Sequence, residues 1–390
     1  TVVSQKKSAS KSVSSKGGTQ THNYEFSATE YEENRHFFLA HFFREHYDQN
    51  MSKLPTVMSG VTIKRIELWV TNKTGSYESN RNIVAFTDLG EHDHISNPIW
   101  SKGSVQVAAN AANTLYSTMT TQHAAARDIS QTSSDLDAIA GFEGSVDYEK
   151  LQSARLLSSS EYTVNNSLGY VSLNFTLQPD EVLAVAFEYT YNGTTYQVGE
   201  FSADLTDNTQ ALFVKALKNT SNTPQMGNWD LMMKNVYSLG ATTTQKDKFK
   251  LDIQYQSDSA GVYVSYIPEA KYKNTKLLRV MNLDRLDANN RPNPNGQFDY
   301  VEGYTINKGR IYFPVTEPFG SHLRQYLNDE ALAEKYCFDA LYDSTKTMAK
   351  QIAEKNKFLL SGEYKGNNGA EISLGAMNVP QGSVTVTAGG

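Results

Sequence analysis

Cysteine is nearly missing from this chain: Cys337 stands alone among 390 residues. One thiol excludes an internal disulfide framework and a Cys-rich zinc site. It lies in Ala331 to Leu341 (ALAEKYCFDAL), at helical spacing with Leu341, which predicts a small buried apolar residue and not a nucleophile. Long hydrophobic runs are missing as well. No window approaches the roughly 18 apolar residues of a spanning helix, and Thr1 to Ser15 lacks the apolar core of a signal peptide.

Positive charge is in short supply, since 36 Lys and Arg face 42 Asp and Glu and leave a net charge of −6. Neutralising phosphates needs a basic face, so no nucleic-acid partner is predicted. The basic run Lys6 to Lys16 lies in a Ser-rich opening that reads as a disordered, solvated tail over residues 1–22.

Enzyme signatures are absent too: there is no G-x-S-x-G, H-E-x-x-H, Walker A or G-x-G-x-x-G. Adjacent acids such as Glu32-Glu33 and Asp329-Glu330 point in different directions on predicted helices, unlike two carboxylates facing across a scissile bond. No catalytic, cofactor-binding or metal-binding residue is assigned, and no enzyme is predicted.

What the chain has in quantity is tyrosine, 23 against 3 Trp. Tyrosine favours strands and half-wet surfaces, which tilts the reading toward β-rich. The length allows two or three ordinary domains with sizeable cores.

In chain order, Ser27 with Glu30 fits a capping box and Phe26 with Tyr31 a hydrophobic staple, so a helix is predicted from there to about Asp48. His36, His41 and His46 follow at five-residue spacing; each step turns roughly 140° on a helix, so they cannot share one metal. Val61 to Val70 alternates with one slip near Lys64-Arg65, predicting a bulged strand, and Asn82 to Leu89 predicts a second. His92-Asp93-His94 offers two metal ligands in need of a third. Gly103–Tyr116, Asp135–Phe142 and Val146–Leu157 read as short helices.

Glu161 to Phe201 contains turns at Leu168-Gly169, Pro179-Asp180 and Asn192-Gly193 between alternating runs, predicting a β-meander or small sandwich. A composition shift near Thr206 to Gln210 suggests a boundary. Ala211–Leu217 and Trp229–Leu239 then read as amphipathic helices, Phe249–Gln256 and Val262–Ile267 as paired strands, Ser321–Lys355 as helix broken at Asp343-Ser344, and Phe358–Tyr364 and Glu371–Leu374 as closing strands.

The stretch Leu278 to Gly320 holds a Pro- and Asn-rich loop, Asn289 to Gly296, that no regular element can cross. Asp284, Asp287, Asn289, Asn295 and Asp299 are oxygen donors of the kind Ca²⁺ takes. Asx-turns made by the same side chains explain the composition equally well. A turn at Asn307-Lys308-Gly309 leads to the short strand Ile311 to Val315.

Leu278 to Gly320, with Trp229–Leu239, Phe319–Leu323, Leu341–Thr347, Ile372–Gly390 and the phrases RIELWVTNKTG and NIVAFTDLGE, resembles the SprA (Sov) family of giant outer-membrane translocons of the type IX secretion system, linked to gliding motility. The resemblance runs from about Tyr24 to the last residue. It implies a protein-transport role at the cell outer membrane and cell surface, in a part facing the extracellular side or the periplasm. The implied partners are the rest of the translocon barrel, partner lipoproteins, a plug protein and exported substrates.

Together these readings predict an α+β fold with antiparallel β-sheets and packed helices, divided as a 1–22 tail, a 23–205 helix followed by a β-rich subdomain, and a 206–390 α+β subdomain. The chain is expected to be a piece of a longer protein whose last strand, Ser383 to Gly390, is truncated. A carbohydrate-binding module or adhesin, with exposed Tyr and Trp stacking on sugars, is the alternative function.

Overall fold

The computed structural model describes residues 20–73, 75, 79–257 and 261–368. The tail before residue 20, the strand predicted at Glu371–Leu374 and the terminal Ser383 to Gly390 lie outside the described residues. The fold is mixed α+β, mostly antiparallel sheet with short helices.

Its centre is a closed five-stranded barrel. Leu212–Lys218 pairs parallel with Asn80–Phe86, which pairs antiparallel with Tyr148–Leu156; Val61–Val70 and Leu183–Tyr191 follow, and Leu183–Tyr191 returns to Leu212–Lys218. Alternation sends Ile83, Ala85, Ala184, Ala186, Val214 and Ala216 into one small cluster with Trp69, while Val84, Phe86, Val185, Phe187, Phe213 and Leu217 join a larger one. The small cluster is the barrel interior, and its alanines suit the narrow lumen that five strands enclose. Arg81 latches a loop across one mouth through the carbonyls of Ser202, Asp207 and Gln210. The composition shift at Thr206 to Gln210 therefore lies in the loop leading to the strand that closes the barrel.

Outside the barrel, helix His41–Met51 lays Phe43 against Phe187 and Tyr189, with ring centroids 5.8 and 5.1 Å apart. A small sheet, His36–Phe38 with Tyr170–Leu173 and Tyr162–Asn165, covers the same core. A second core is built on Phe358–Asn368, which lies between Gln20–Ser27 on one edge and Lys250–Gln256 with Ala241–Thr244 on the other. Tyr263–Val264 pairs with Tyr255 and Gln256, as predicted for that region.

Several predicted helices are strands. The one predicted from Phe26 to Asp48 is a strand to Ser27, a single 3-10 turn Ala28–Glu30, the strand His36–Phe38 and only then a helix from His41. The hydroxyl of Ser27 pairs with that of Thr29 at 2.6 Å instead of capping a helix. Val146–Leu157 and Ala211–Leu217 are barrel strands, and Trp229–Leu239 is a 3-10 turn followed by the strand Val236–Ser238. Every residue of Leu212–Lys218 is buried, so no polar face exists to mark its period. Of the predicted Gly103–Tyr116 helix the 3-10 turn Asn110–Ala112 forms and the last two residues open the helix Leu115–Thr121. Glu161 to Phe201 is not one meander. Its first hairpin joins the His36–Phe38 sheet, and its second, Leu183–Tyr191 with Thr194–Val198, belongs to the barrel. The predicted Ser321–Lys355 helix is four short helices, one break falling at Ser344.

Candidate functional site

Strand register assembles the most organised polar constellation. His36 stands opposite Ser172 in the antiparallel pair, so their side chains share one face and Nδ1 lies 2.7 Å from Oγ. The Glu32 carboxylate lies 2.8 Å from His36 Nε2 and accepts from Arg310 Nε at 2.6 Å and Arg35 Nη1 at 3.1 Å. Tyr312 O–H lies 3.3 Å from Ser172 Oγ.

Burial is the largest influence on His36 and lowers its pKa against the pull of Glu32, so the imidazole is neutral near pH 7. With Nε2–H donated to Glu32, Nδ1 is the acceptor for the Ser172 hydroxyl. Burial pushes Glu32 up, but the hydrogen bond from His36 and the charges of Arg310 and Arg35 outweigh it and hold the carboxyl at about 2.

Carboxylate, imidazole and hydroxyl in sequence are the parts of an acyl-transfer triad. Their placement points to a clasp instead. His36 is fully enclosed, Ser172 is buried against Tyr312, and the Arg310 and Arg35 guanidiniums consume Glu32. The cluster ties the turn after Gln20–Ser27, the His36–Phe38 sheet and the strand Arg310–Tyr312 together.

A second constellation sits between the barrel wall and helix His41–Met51. Lys215 Nζ contacts Glu91 Oε1 at 2.7 Å, and Glu91 also faces His41 Nδ1 at 3.1 Å. The His41 ring stacks on His94 at 4.6 Å, and His94 Nε2 reaches Glu45 at 2.5 Å. The predicted His92-Asp93-His94 pair is thereby separated: His92 keeps to Asp93, which also takes Lys102, while His94 turns away to helix His41–Met51. His46 is held by the carbonyl of Phe42 at 2.7 Å. Among the described residues no group of three or more His, Cys, Asp or Glu is arranged to hold a metal.

In the loop Asp284 to Asp299 the carboxylates face inward to backbone amides. Asp284 Oδ1 accepts from Asn295 and Gly296, both at 2.9 Å, and Asp299 accepts from Arg285 and Leu286 at 2.7 and 3.0 Å. Asp287 and Asn295 each accept the amide two residues on, at 2.8 and 2.9 Å. These last two are Asx-turns, so Asp287 Oδ1 and Asn295 Oδ1 serve the loop's own backbone. Burial, with Asp284 adding to it, raises Asp299 to about 6. Cys337 is buried in its helical layer, and burial pushes its thiol up to about 12, which suits a packing role.

Lys234 is a buried charge with only loose partners. Its ammonium reaches the carbonyls of Trp229 and Met232 only at 3.3 and 3.4 Å, with Asp230 at 3.9 Å. Burial lowers its pKa to about 8. The unfolded lysine titrates near ~10.4, so between about pH 8 and 10 the unfolded chain binds more protons and stability climbs with pH. Below about 8 the full penalty of a buried ammonium applies. Lys234→Met is expected to raise folding stability at pH 7 by about 1–3 kcal/mol and to flatten that climb. Urea titrations at several pH values from 7 to 10 read both effects; a destabilised variant would contradict them.

Comparison with known proteins adds no relative: no protein-family model matches the chain, and no curated protein matches it. No helix among the described residues is long and apolar enough to cross a membrane.

Proposed function

We propose that this chain is a non-catalytic segment of an outer-membrane protein-export channel of the SprA type, serving type IX secretion and gliding motility by shaping or capping the pore or docking partner proteins. The resemblance of several long phrases in the same order, from Tyr24 onward, is one support. The observation that carries the reading is where the aromatic side chains go. Trp69, Trp100 and Trp229 are buried, and among the large hydrophobic side chains exposed in the described residues Tyr263, 44% exposed, is the sole aromatic. A sugar-binding groove or adhesive face is built from solvent-facing rings, whereas here most tyrosine and phenylalanine rings pack into the hydrophobic cores.

In this reading the folded body acts by shape. Clasps such as Glu32–His36–Ser172–Arg310 hold its layers together, and a rigid body of this kind can occlude a pore or present a fixed surface to a partner. In this reading the segment lies outside the barrel wall that spans the outer membrane. The test is an in-frame deletion of residues 24–380 from a channel carrying this sequence, with the amount of channel in the outer membrane checked. Secretion is expected to fail or the pore to leak. Unchanged export together with an unchanged closed state would remove the proposal.

A further inference from the structure

A cleft of about 440 Å³ opens between the short helix Leu277–Val280 and the helix Ser321–Leu327. Its walls present Thr275, Arg279, Asn282, His322, Gln325 and Tyr326. From Glu269 to Asp284 the chain carries Lys271, Lys273, Lys276 and Arg279 against the two carboxylates at its ends, and Gly320 to Leu327 has no carboxylate. On a chain of net charge −6 this is a local reversal of sign.

The cationic group is held in place before any ligand arrives. Arg279 Nε and Nη2 both lie 3.2 Å from Asp284 Oδ2, and Asp284 is itself fixed by the amides of Asn295 and Gly296. The arginine side chain remains 49% exposed while it holds this contact. His322 donates from Nε2 to the Val280 carbonyl at 2.7 Å and locks the two walls to each other. Among the described residues the side chains of Thr275, Asn282, Gln325 and Tyr326 have no protein hydrogen-bond partner.

We propose that this cleft docks an acidic polypeptide segment, one carboxylate meeting Arg279 and the flanking backbone meeting Gln325 and Asn282. Side-chain amides offer both a donor and an acceptor, which is what a peptide group requires. Lys271, Lys273 and Lys276 supply the surrounding field that draws in further carboxylates. The proposal does not rest on the export reading, and its failure leaves the deletion experiment undecided.

The test uses the full chain and a fluorescein-labelled octapeptide of alternating Glu and Ser, read by anisotropy. A Gln/Ser octapeptide and a sulfated oligosaccharide of matched charge serve as comparisons. The acidic peptide is expected to bind, roughly tenfold more tightly than the Gln/Ser peptide, and to weaken when salt rises from about 50 to 300 mM. Arg279→Gln is expected to weaken it roughly tenfold. Arg279 also steadies the Asp284 loop, so Gln325→Ala and Lys273→Gln, which leave that loop intact, are expected to weaken binding by about two- to fivefold each. No binding, equal binding of the Gln/Ser peptide, tighter binding of the sulfated oligosaccharide, or indifference to both Gln325→Ala and Lys273→Gln would each overturn the proposal.

Discussion

Replacing Lys215 with methionine is expected to remove roughly 3–5 kcal/mol of folding stability at pH 7. Lys215 faces outward from the barrel strand Leu212–Lys218, between Phe213 and Leu217, into the layer beneath helix His41–Met51. It has no solvent exposure, and its ammonium touches Glu91 Oε1 at 2.7 Å and the carbonyls of Leu89 and Thr87 at 3.0 and 3.2 Å. Glu91 is buried as well, with the His41 amide 3.2 and 3.3 Å from its two oxygens. Methionine fills the space but leaves the buried Glu91 carboxylate without the ammonium that faces it.

The pH dependence separates this account from one of mere packing. Burial pushes Glu91 up, yet the charges of Lys215 and His41 and their hydrogen bonds hold it far below the usual carboxylate range. Its folded pKa lies under the unfolded ~4.3, so the pair stabilises fully above about pH 5 and that stability drains away as pH falls. In Lys215→Met the carboxyl rises and is neutralised by acid, so the difference between the two proteins should shrink from pH 7 to pH 4. The double variant Lys215→Met/Glu91→Leu should recover part of the loss, because it removes both buried charges. Urea unfolding at pH 7 and 4 reads all three. A loss under about 1 kcal/mol at pH 7, or one independent of pH, would contradict the argument.

Gly309→Ala is expected to cost on the order of 3–5 kcal/mol. Lys308 and Gly309 form the two-residue turn between Ile306–Asn307 and Arg310–Tyr312, at φ of 46° and 68°. A methyl on Gly309 would stand 1.9 Å from the carbonyl oxygen of Ala241 and 2.6 Å from its carbon. Both are backbone atoms in a strand, and the carbonyl of Gly309 is meanwhile bound by the Leu239 amide at 2.9 Å. Neither side can step aside without breaking a sheet contact.

Gly240 supplies the comparison. Its φ is 70°, but nothing lies within 4 Å of the position an added Cβ would take. Gly240→Ala is therefore expected to cost only the left-handed backbone penalty, about 1–2 kcal/mol. The gap between the two variants in thermal or urea unfolding isolates the close approach, and equal losses would show that the turn conformation alone matters.

Much of the fold was legible where one face of an element meets water. Val61–Val70 was readable down to its slip, which the structure places between Ile63 and Arg65. The Asn192-Gly193 turn carries positive φ at both residues, 48° and 86°, and closes its hairpin as the dipeptide requires. Tyr148–Leu156 and Leu212–Lys218 were not readable as strands. The first is interrupted by Ser153 at φ 53°, and the second is covered on both faces, so neither displays a two-residue period.

The polar clusters were less accessible still. Glu32 and His36 at four-residue spacing and the polar Ser172 within YVSL were the available hints, but the partners stand 136 and 278 residues apart.

Composition and local pattern by themselves determined a β-rich α+β chain and its main hairpin turns, because propensity, turn geometry and half-burial act within a few residues. Only the tertiary structure decided that five strands close into a barrel, that His92 and His94 part company, and that Glu91 meets Lys215. Closure and ion pairing depend on which distant segments share a wall, and the hydrophobic burial that brings them together is blind to sequence separation.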